Sequence, residues 1–247
     1  MNILGIDVGG SGIKGGIVDV EKGEMITDRY RIPTPQPATP DAVIETIEAI
    51  ITHFEWKGSV GVGFPAAIVN EIVRTASNID NIWIGVNAAQ RIEKETGCPT
   101  HLVNDVDAAG FAEMLFGAGV GEKGVIFMAA FGTGIGTAIF KKNMLIPNTE
   151  LGHLIMKGMV AEDYAANSVR EKNNLSWEDW GKRVNEYLQT IEKLFYPDLI
   201  IIGGGVSKEF DDFKEYLTLN TPVVPAENRN HAGIIGSALA AYSEGLR

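Results

Sequence analysis

Apolar residues along the chain fall into two kinds of run that alternate. Short, Ile- and Val-rich runs at residues 3–6, 60–64, 125–130 and 199–202 are each followed within two residues by Asp, Pro or Gly. Such runs read as buried strands that stop at turns. Residues 100–103, and the stretch from Glu71 to Arg74, read as shorter strands. Between them the spacing changes. Val43, Ile44, Ile47, Ile50, Ile51 and Phe54 recur with a helical period behind Thr39 and Pro40, a natural N-cap and first helical position. Asn87 predicts a cap for a helix running to Gly97. Trp177, Trp180, Val184, Leu188, Ile191 and Phe195 form the stripe of the clearest helix, which begins at Ser176, with Asp179 three residues on, and ends before Pro197. Residues 232–241 are small and apolar, the pattern of a closely packed helix. Strands alternating with helices predict an α/β protein.

The organising stretch is Gly5-Ile6-Asp7-Val8-Gly9-Gly10-Ser11-Gly12-Ile13-Lys14. A strand ends on a carboxylate, and four residues with small or absent side chains follow. Glycine lets backbone N–H groups converge on an anion without a Cβ in the way. The run Gly10-Ser11-Gly12-Ile13-Lys14-Gly15 fits the dinucleotide-binding spacing, but β-branched Ile17, Val18 and Val20 follow where that motif opens a helix. Lys14 is followed by Gly15 rather than Ser or Thr, so the stretch is not a P-loop either. A phosphate-binding hairpin remains. Gly9, Gly10, Ser11, Gly12 and Lys14 are its candidate phosphate contacts, and Asp7 is a candidate Mg²⁺ ligand acting through water.

The hairpin recurs. Gly132 set over Gly10 places Thr133 on Ser11, Gly134 on Gly12, Ile135 on Ile13 and Ile139 on Ile17, an offset of 122 in a chain of 247 residues. Repetition at half-length predicts two similar lobes sharing a phosphate, with Gly132, Thr133 and Gly134 on the second side. A triple-glycine turn, Gly203, Gly204 and Gly205, ends another buried strand and suits backbone contact with a nucleotide or further phosphate. Asn104-Asp105-Val106-Asp107 sits just beyond a strand, where α/β proteins place catalytic groups. Asp105 is positioned to accept a proton from an alcohol and Asn104 to hydrogen-bond the same molecule, while Asp107 reads as the helix N-cap. Asn78, in a polar loop leading to Trp83, suits a sugar's hydroxyl edge. Glu150 and His153, three apart beside Gly152, suit a diol or a metal, and the metal reading is poor with a single cysteine, Cys98.

Composition narrows the field. The net charge of −11 argues against general nucleic-acid binding, which needs a basic face. A polyanion would need a local cationic track: Lys14 as its inner end, with Lys141, Lys142, Lys208 and Arg229 as outer candidates. One cysteine excludes an internal disulfide, and Asp7 interrupts the first apolar run too early for a signal peptide or membrane span. A cytoplasmic location is expected.

Together these motifs resemble the sugar-kinase, Hsp70 and actin superfamily, and within it the ROK sugar kinases. The likeness rests on the 7–14 hairpin, Asn104-Asp105-Val106-Asp107-Ala108, Gly132-Thr133-Gly134-Ile135-Gly136 and Glu150-Leu151-Gly152-His153. That family usually carries a cysteine-rich zinc cluster after the histidine; no cysteine follows His153, so no zinc is expected. Thr75-Ala76-Ser77-Asn78-Ile79-Asp80, Ser176-Trp177-Glu178-Asp179-Trp180, Gly203-Gly204-Gly205-Val206-Ser207-Lys208 and Thr221-Pro222-Val223-Val224-Pro225-Ala226 are similar to the polyphosphate-using glucokinases of the family. The resemblance implies a duplicated two-lobe, ribonuclease H-like fold of the actin-like ATPase kind, with an active-site cleft between lobes. Residues 1–104 would form the N-terminal lobe, with a helix at 233–247 packing back on it, and residues 105–232 the C-terminal lobe. It implies phosphorylation of the 6-hydroxyl of glucose from inorganic polyphosphate, with ATP as a further donor, and Mg²⁺ as cofactor. Asp105 would be the base, Asn78, Asn104, Glu150 and His153 the sugar contacts, and the chain a homodimer with no nucleic-acid or membrane partner. The serious alternative is an ATP-dependent glucokinase or mannokinase. A ROK repressor would need a DNA-binding segment before the hairpin at residue 5, and that reading is set aside. An Hsp70-like ATPase or a polyphosphatase would share the hairpins but lack the Asn104-Asp105 and Glu150/His153 pairs.

Overall fold

A computed structural model describes residues 1–76, 79–228 and 231–245. Contacts divide the chain into two compact units, Met1–Ala112 with Asn230–Arg247, and Glu113–Arg229.

In the first unit β1 (Asn2–Val8) runs antiparallel to β2 (Ile13–Asp19), which pairs in turn with β3 (Glu24–Met25) and β4 (Tyr30–Ile32). On its other side β1 lies parallel to β5 (Val60–Phe64), and β5 parallel to β8 (Thr100–Asn104). The sheet order is β3-β2-β1-β5-β8. Helices α1 (Pro40–His53) and α2 (Ala88–Thr96) are capped by Thr39 and Asn87, as the sequence predicts. They pack on one face, where Leu4, Ile6, Val60 and Val62 join Ile44, Ile47, Ile50 and Ile92 in one core. The stretch from Glu71 to Arg74 differs from the expectation. β6 (Ile68–Val69) and β7 (Ile72–Val73) form a hairpin whose turn holds Asn70 and Glu71, both at positive φ.

The other face of that sheet explains why glycine alternates with the apolar residues. Successive strand residues point to opposite faces, so Gly5, Gly61 and Gly63 lie opposite Leu4, Val60 and Val62. Helix α8 (Ala232–Gly245) is seated on them. A Cβ at Gly5 would collide with the carbonyl of Ile234, and one at Gly61 with the carbonyl of Ser237. At Gly63 it would stand 2.7 Å from Ser237 Oγ. From the helix side, a Cβ at Gly236 would collide with the backbone of Ala108. Ala108 belongs to α3 (Asp105–Phe116), so one small-residue helix braces both the sheet and the helix that follows β8.

The second unit repeats the strand plan. β9 (Val125–Phe131), β10 (Ile135–Lys141) and β11 (Met144–Ile146) form an antiparallel meander, and β14 (Leu199–Gly203) and β15 (Val223–Pro225) add in parallel beyond β9. The order is β11-β10-β9-β14-β15, three antiparallel strands then two parallel, as in the first unit. Between them lie a short hairpin, β12 (Ile155–Met156) and β13 (Met159–Val160), and helices α4 (Ala161–Ala165), α5 (Asn167–Lys172) and α6 (Trp177–Phe195). A short helix α7 (Phe210–Phe213) follows β14. Ser176 Oγ accepts from the Asp179 amide at 3.0 Å and donates to its carboxylate at 2.8 Å, closing the N-terminus of α6. Trp180, Val184, Tyr187, Leu188 and Ile191 of α6 are buried against Phe127, Phe131, Ile200, Ile202 and Phe213.

The seating of α8 leaves no room for a methyl group. Gly236→Ala is expected to lower unfolding stability by about 1–3 kcal/mol or more, the range for forced overpacking. Urea denaturation would measure it, and a loss below about 0.5 kcal/mol, within the ordinary range for surface changes, would show that the helix has slack at this point.

Candidate active site

The first hairpin turn is closed by the Gly9 amide donating to Gly12 O at 3.2 Å. Gly10 and Ser11 stand exposed, and a side chain at Gly10 would meet open space. Two residues that the sequence reading passed over hold this turn. Thr34 Oγ1 donates to Gly9 O at 2.5 Å, and Arg31 Nη2 donates to Ser11 O at 2.6 Å. Their role becomes visible only once β4 is known to pair with β2, which sets Arg31 opposite Lys14. A pocket of about 290 Å³ opens against Gly9 and Gly10, lined also by Thr34, Gln36, Phe64 and Asp80.

Asp7 and Lys14 are register partners across β1 and β2, and Lys14 Nζ lies 3.4 Å from Asp7 Oδ2. Lys14 is therefore a strand residue facing Asp7 and not a residue of the turn itself. The Asp7 side chain is 20% exposed, and burial pushes its pKa above the ordinary carboxylate value, opposed by Lys14 and more weakly by Arg29. Gly233, in the first turn of α8, presses against this carboxylate: a Cβ there would lie 2.7 Å from Asp7 Cγ.

At the end of β8 the helix starts earlier than expected. The sequence placed the N-cap at Asp107, but α3 begins at Asp105, and Asn104 does the capping. Its Oδ1 accepts from the amides of Val106 (2.9 Å) and Asp107 (3.1 Å), while Nδ2 donates to Ala66 O at 3.1 Å. Asn104 thus ties the loop after β5 to the helix start, and most of its amide is spent in doing so. Asp107 is buried within the first turn of α3. Asp105 is half-buried as the first helical residue, and its Oδ1 accepts from the Val106 amide at 2.9 Å.

The second hairpin is one residue tighter. Gly132 N donates to Gly134 O at 3.0 Å, and Phe131 pairs with Ile135 where the first hairpin pairs Val8 with Ile13. The match by 122 residues holds along the outgoing strand, and the incoming strand slips by one. Ala130 faces Gly136 where Asp7 faces Lys14, so the carboxylate–lysine pair is not repeated. The turn's carbonyls are taken by Ser168, whose amide donates to Gly132 O at 3.0 Å and whose Oγ donates to Thr133 O at 2.6 Å.

Glu162, in the first turn of α4, was not singled out in the sequence. Its Oε2 accepts from the Ile135 amide at 3.3 Å and fills the space beside Gly134 that a Cβ would need. Its Oε1 lies 3.5 Å from His153 Nε2, and both side chains remain partly exposed. Glu150, exposed, precedes the 3₁₀ turn Leu151–His153 that presents the histidine. Only a Glu at a helix start marked Glu162, and that signal is common.

The triple glycine divides. Gly203 packs on Met128, and Gly204, at φ 80°, passes so close to Phe131 that a side chain would strike its backbone. Only Gly205 faces open space. Lys208 is exposed just beyond it. Lys141 and Lys142 lie at the far end of β10, the strand that leaves the second glycine turn, ~20 Å from that turn at the strand rise. Asn78 and Arg229 fall outside the described residues. Among the described residues, no group of three or more His, Cys, Asp or Glu is arranged to hold a metal, and no helix is long and apolar enough to cross a membrane.

Two sheets of the same order, each opening on a glycine-turn hairpin, define the actin-like ATPase fold. Residues 3–166 match the ROK family, and the chain belongs to it. It is 48% identical to a polyphosphate glucokinase of Mycobacterium tuberculosis over 98% of this chain and 91% of that protein. To a polyphosphate glucokinase of Mycobacterium leprae it is 46% identical, covering 98% and 75%. Among solved structures, an inorganic polyphosphate/ATP-glucomannokinase from Arthrobacter sp. strain KM superposes with a TM-score of 0.93 at 42% identity, covering 98% of this chain and 99% of that one.

The raised pKa of Asp7 has a stability consequence. Stability tied to its neutral form is complete below the unfolded value of 3.8 and is lost as pH rises through the higher folded value. Asp7→Asn is therefore expected to unfold no earlier than the parent at pH 7, with any advantage shrinking toward pH 4. A loss above about 2 kcal/mol at pH 7 would instead make the Asp7–Lys14 pair a net stabiliser.

Proposed function

We infer that this chain is a phosphotransferase that moves the terminal phosphoryl group of inorganic polyphosphate to the 6-hydroxyl of glucose, with ATP as a second donor. The near full-length likeness to the mycobacterial polyphosphate glucokinases carries the reading. Phosphoryl transfer asks a protein mainly for positioning and charge compensation, and the groups fit that demand. In the first unit the exposed Gly10 and Ser11 of the turn receive the donor, and Asp105, fixed by the Asn104 cap at the head of α3, takes the proton of the attacking hydroxyl. In the second unit Glu150, His153 and Glu162 offer acceptors and a donor matched to the hydroxyls of a sugar, while Thr133 and Gly205 offer open contacts to phosphate.

Asp7 fits a divalent cation. It is a half-buried carboxylate at the end of β1 beside the glycine turn, and Mg²⁺ in kinase sites is held by one or two carboxylates with the rest from phosphate and water. Such an ion would neutralise charge on the phosphates. Homodimer formation and a cytoplasmic location belong to the same reading.

An assay of sugar 6-phosphate formed from glucose or mannose, with polyphosphate or ATP, tests the function. Polyphosphate with glucose should be a productive pair; phosphate release without sugar would point to a hydrolase, and activity with ATP alone to the nucleotide-dependent alternative. Asp105→Asn keeps the shape and removes the basicity. It should reduce turnover to below a tenth with folding intact, since general-base catalysis contributes about 10²–10⁴-fold; a variant holding more than that would remove Asp105 from the role.

A further inference from the structure

Three charges stand in one row across the first sheet: Asp7 on β1, Lys14 opposite it on β2, and Arg31 opposite Lys14 on β4. Lys14 lies against Asp7, so toward an anion approaching from solvent that pair is nearly neutral. Arg31 donates to a carbonyl, Ser11 O, which leaves its charge uncancelled, and among the described residues it forms no ion pair. The row therefore carries one net positive charge, and it resides on Arg31. In a chain with a net charge of −11, that local sign decides whether an anion is attracted to the turn or repelled.

The guanidinium is also placed. A Cβ at Gly12 would stand 2.6 Å from Arg31 Cζ and Nη2, so the group occupies the space that glycine leaves open beside the turn. Arg31 is exposed, and the Ser11 contact uses one of five N–H donors. A planar fork with free donors matches two oxygens of a phosphate, which a lysine ammonium does not.

We propose that Arg31, seated by Gly12 against the 9–12 turn, is the side chain that recognises the condensed-phosphate chain of the donor, the role that sequence alone gives to Lys14. The proposal rests on the phosphotransferase reading above. Lys14 then serves to hold Asp7, and Gly12 is required for the space it vacates as well as for its backbone.

The test compares the parent enzyme with Arg31→Ala, Arg31→Lys and Gly12→Ala. Initial rates of glucose 6-phosphate formation are taken with polyphosphate and with ATP, over a salt series at constant free Mg²⁺. Arg31→Ala should raise the donor KM about tenfold or more, as loss of a charged hydrogen bond does, with the glucose KM within about twofold of the parent. Its log–log salt dependence should be shallower by about one. Arg31→Lys should keep the parental salt slope with an intermediate donor KM. Gly12→Ala, which still carries the arginine but displaces it, should raise the donor KM in the same direction. A rise for polyphosphate alone would assign the contact to phosphates beyond the reach of a nucleotide; a rise for both donors assigns it to the phosphates they share. An unchanged donor KM and slope in Arg31→Ala would overturn the proposal. So would Arg31→Lys failing as completely as Arg31→Ala in both, because the guanidinium would then only brace the Ser11 carbonyl. A parent enzyme inactive with both donors would overturn the phosphotransferase reading itself, whereas the outcomes for the variants bear on Arg31 alone.

Discussion

The first unit depends on how closely α8 lies on its sheet. Gly5, Gly61 and Gly63 remove the side chains from one face of β1 and β5, and Gly236 removes one from the helix. Backbone meets backbone in their place. Packing at this separation is stiff, because a shift of even one methylene is felt in a close-packed interior. Two neighbouring segments inherit that stiffness. Gly233 abuts the carboxylate of Asp7, and Gly236 abuts Ala108, one turn beyond Asp105. A single helix from the far end of the chain thus braces Asp7 of the first hairpin and, through Ala108, the first turn of α3.

The two hairpins show how a duplicated scaffold comes to hold different chemistry. Their sheets have the same order, and each turn is closed by a glycine amide donating to a carbonyl three residues on in the first and two in the second. Around the first turn the side chains are Arg31, Thr34 and the Asp7–Lys14 pair. Around the second they are Ser168, Glu162 and His153. Part of the divergence lies in the paired residues themselves, since Ala130 and Gly136 stand where an ion pair stands in the first copy, and without the one-residue slip on β9 Ala129 would offer no carboxylate either. The remainder comes from what packs behind each turn: β4 in the first unit, α4 and α5 in the second. Equal backbones therefore do not imply equal affinity for anions, and a carboxylate that accepts from Ile135 makes the second turn less cationic than its glycines suggest.

The legible parts of the sequence were those governed by short-range rules. Thr39, Asn87 and Ser176 each cap the helix that their spacing announced, because a cap needs only its own next turn. The small, apolar pattern at 232–241 announced a closely packed helix, and α8 is that helix. What stayed hidden depends on distant partners. Asn104 and Asp107 are both good capping types three residues apart, and the choice between them is made by Ala66, 38 residues earlier, which takes the Asn104 amide. Lys141 and Lys142 are near a glycine turn in sequence yet a whole strand away from it, because a strand carries its two ends apart at about 3.3 Å per residue. Arg31 and Glu162 have no motif of their own and acquire meaning from register and from the helix start they occupy.

An acidic enzyme that handles a polyanion has to separate two electrostatic tasks. Its overall charge keeps the chain soluble and acts at long range, where a Debye length of about 8 Å at physiological salt weakens it. Recognition takes place inside that length, at groups a few ångströms from the phosphate. The first hairpin meets this with few charges. Asp7 is half-buried and costly to ionise, Lys14 offsets it, and the residual positive charge is carried outward to Arg31 at the surface. A cation held in a planar, hydrogen-bonded seat loses little freedom when it binds, so one such group can do what several loose lysines would do less well. The same register keeps Lys14 against Asp7, so that the carboxylate has its own partner and does not draw on Arg31. Both properties follow from one register, in which β1, β2 and β4 set Asp7, Lys14 and Arg31 side by side.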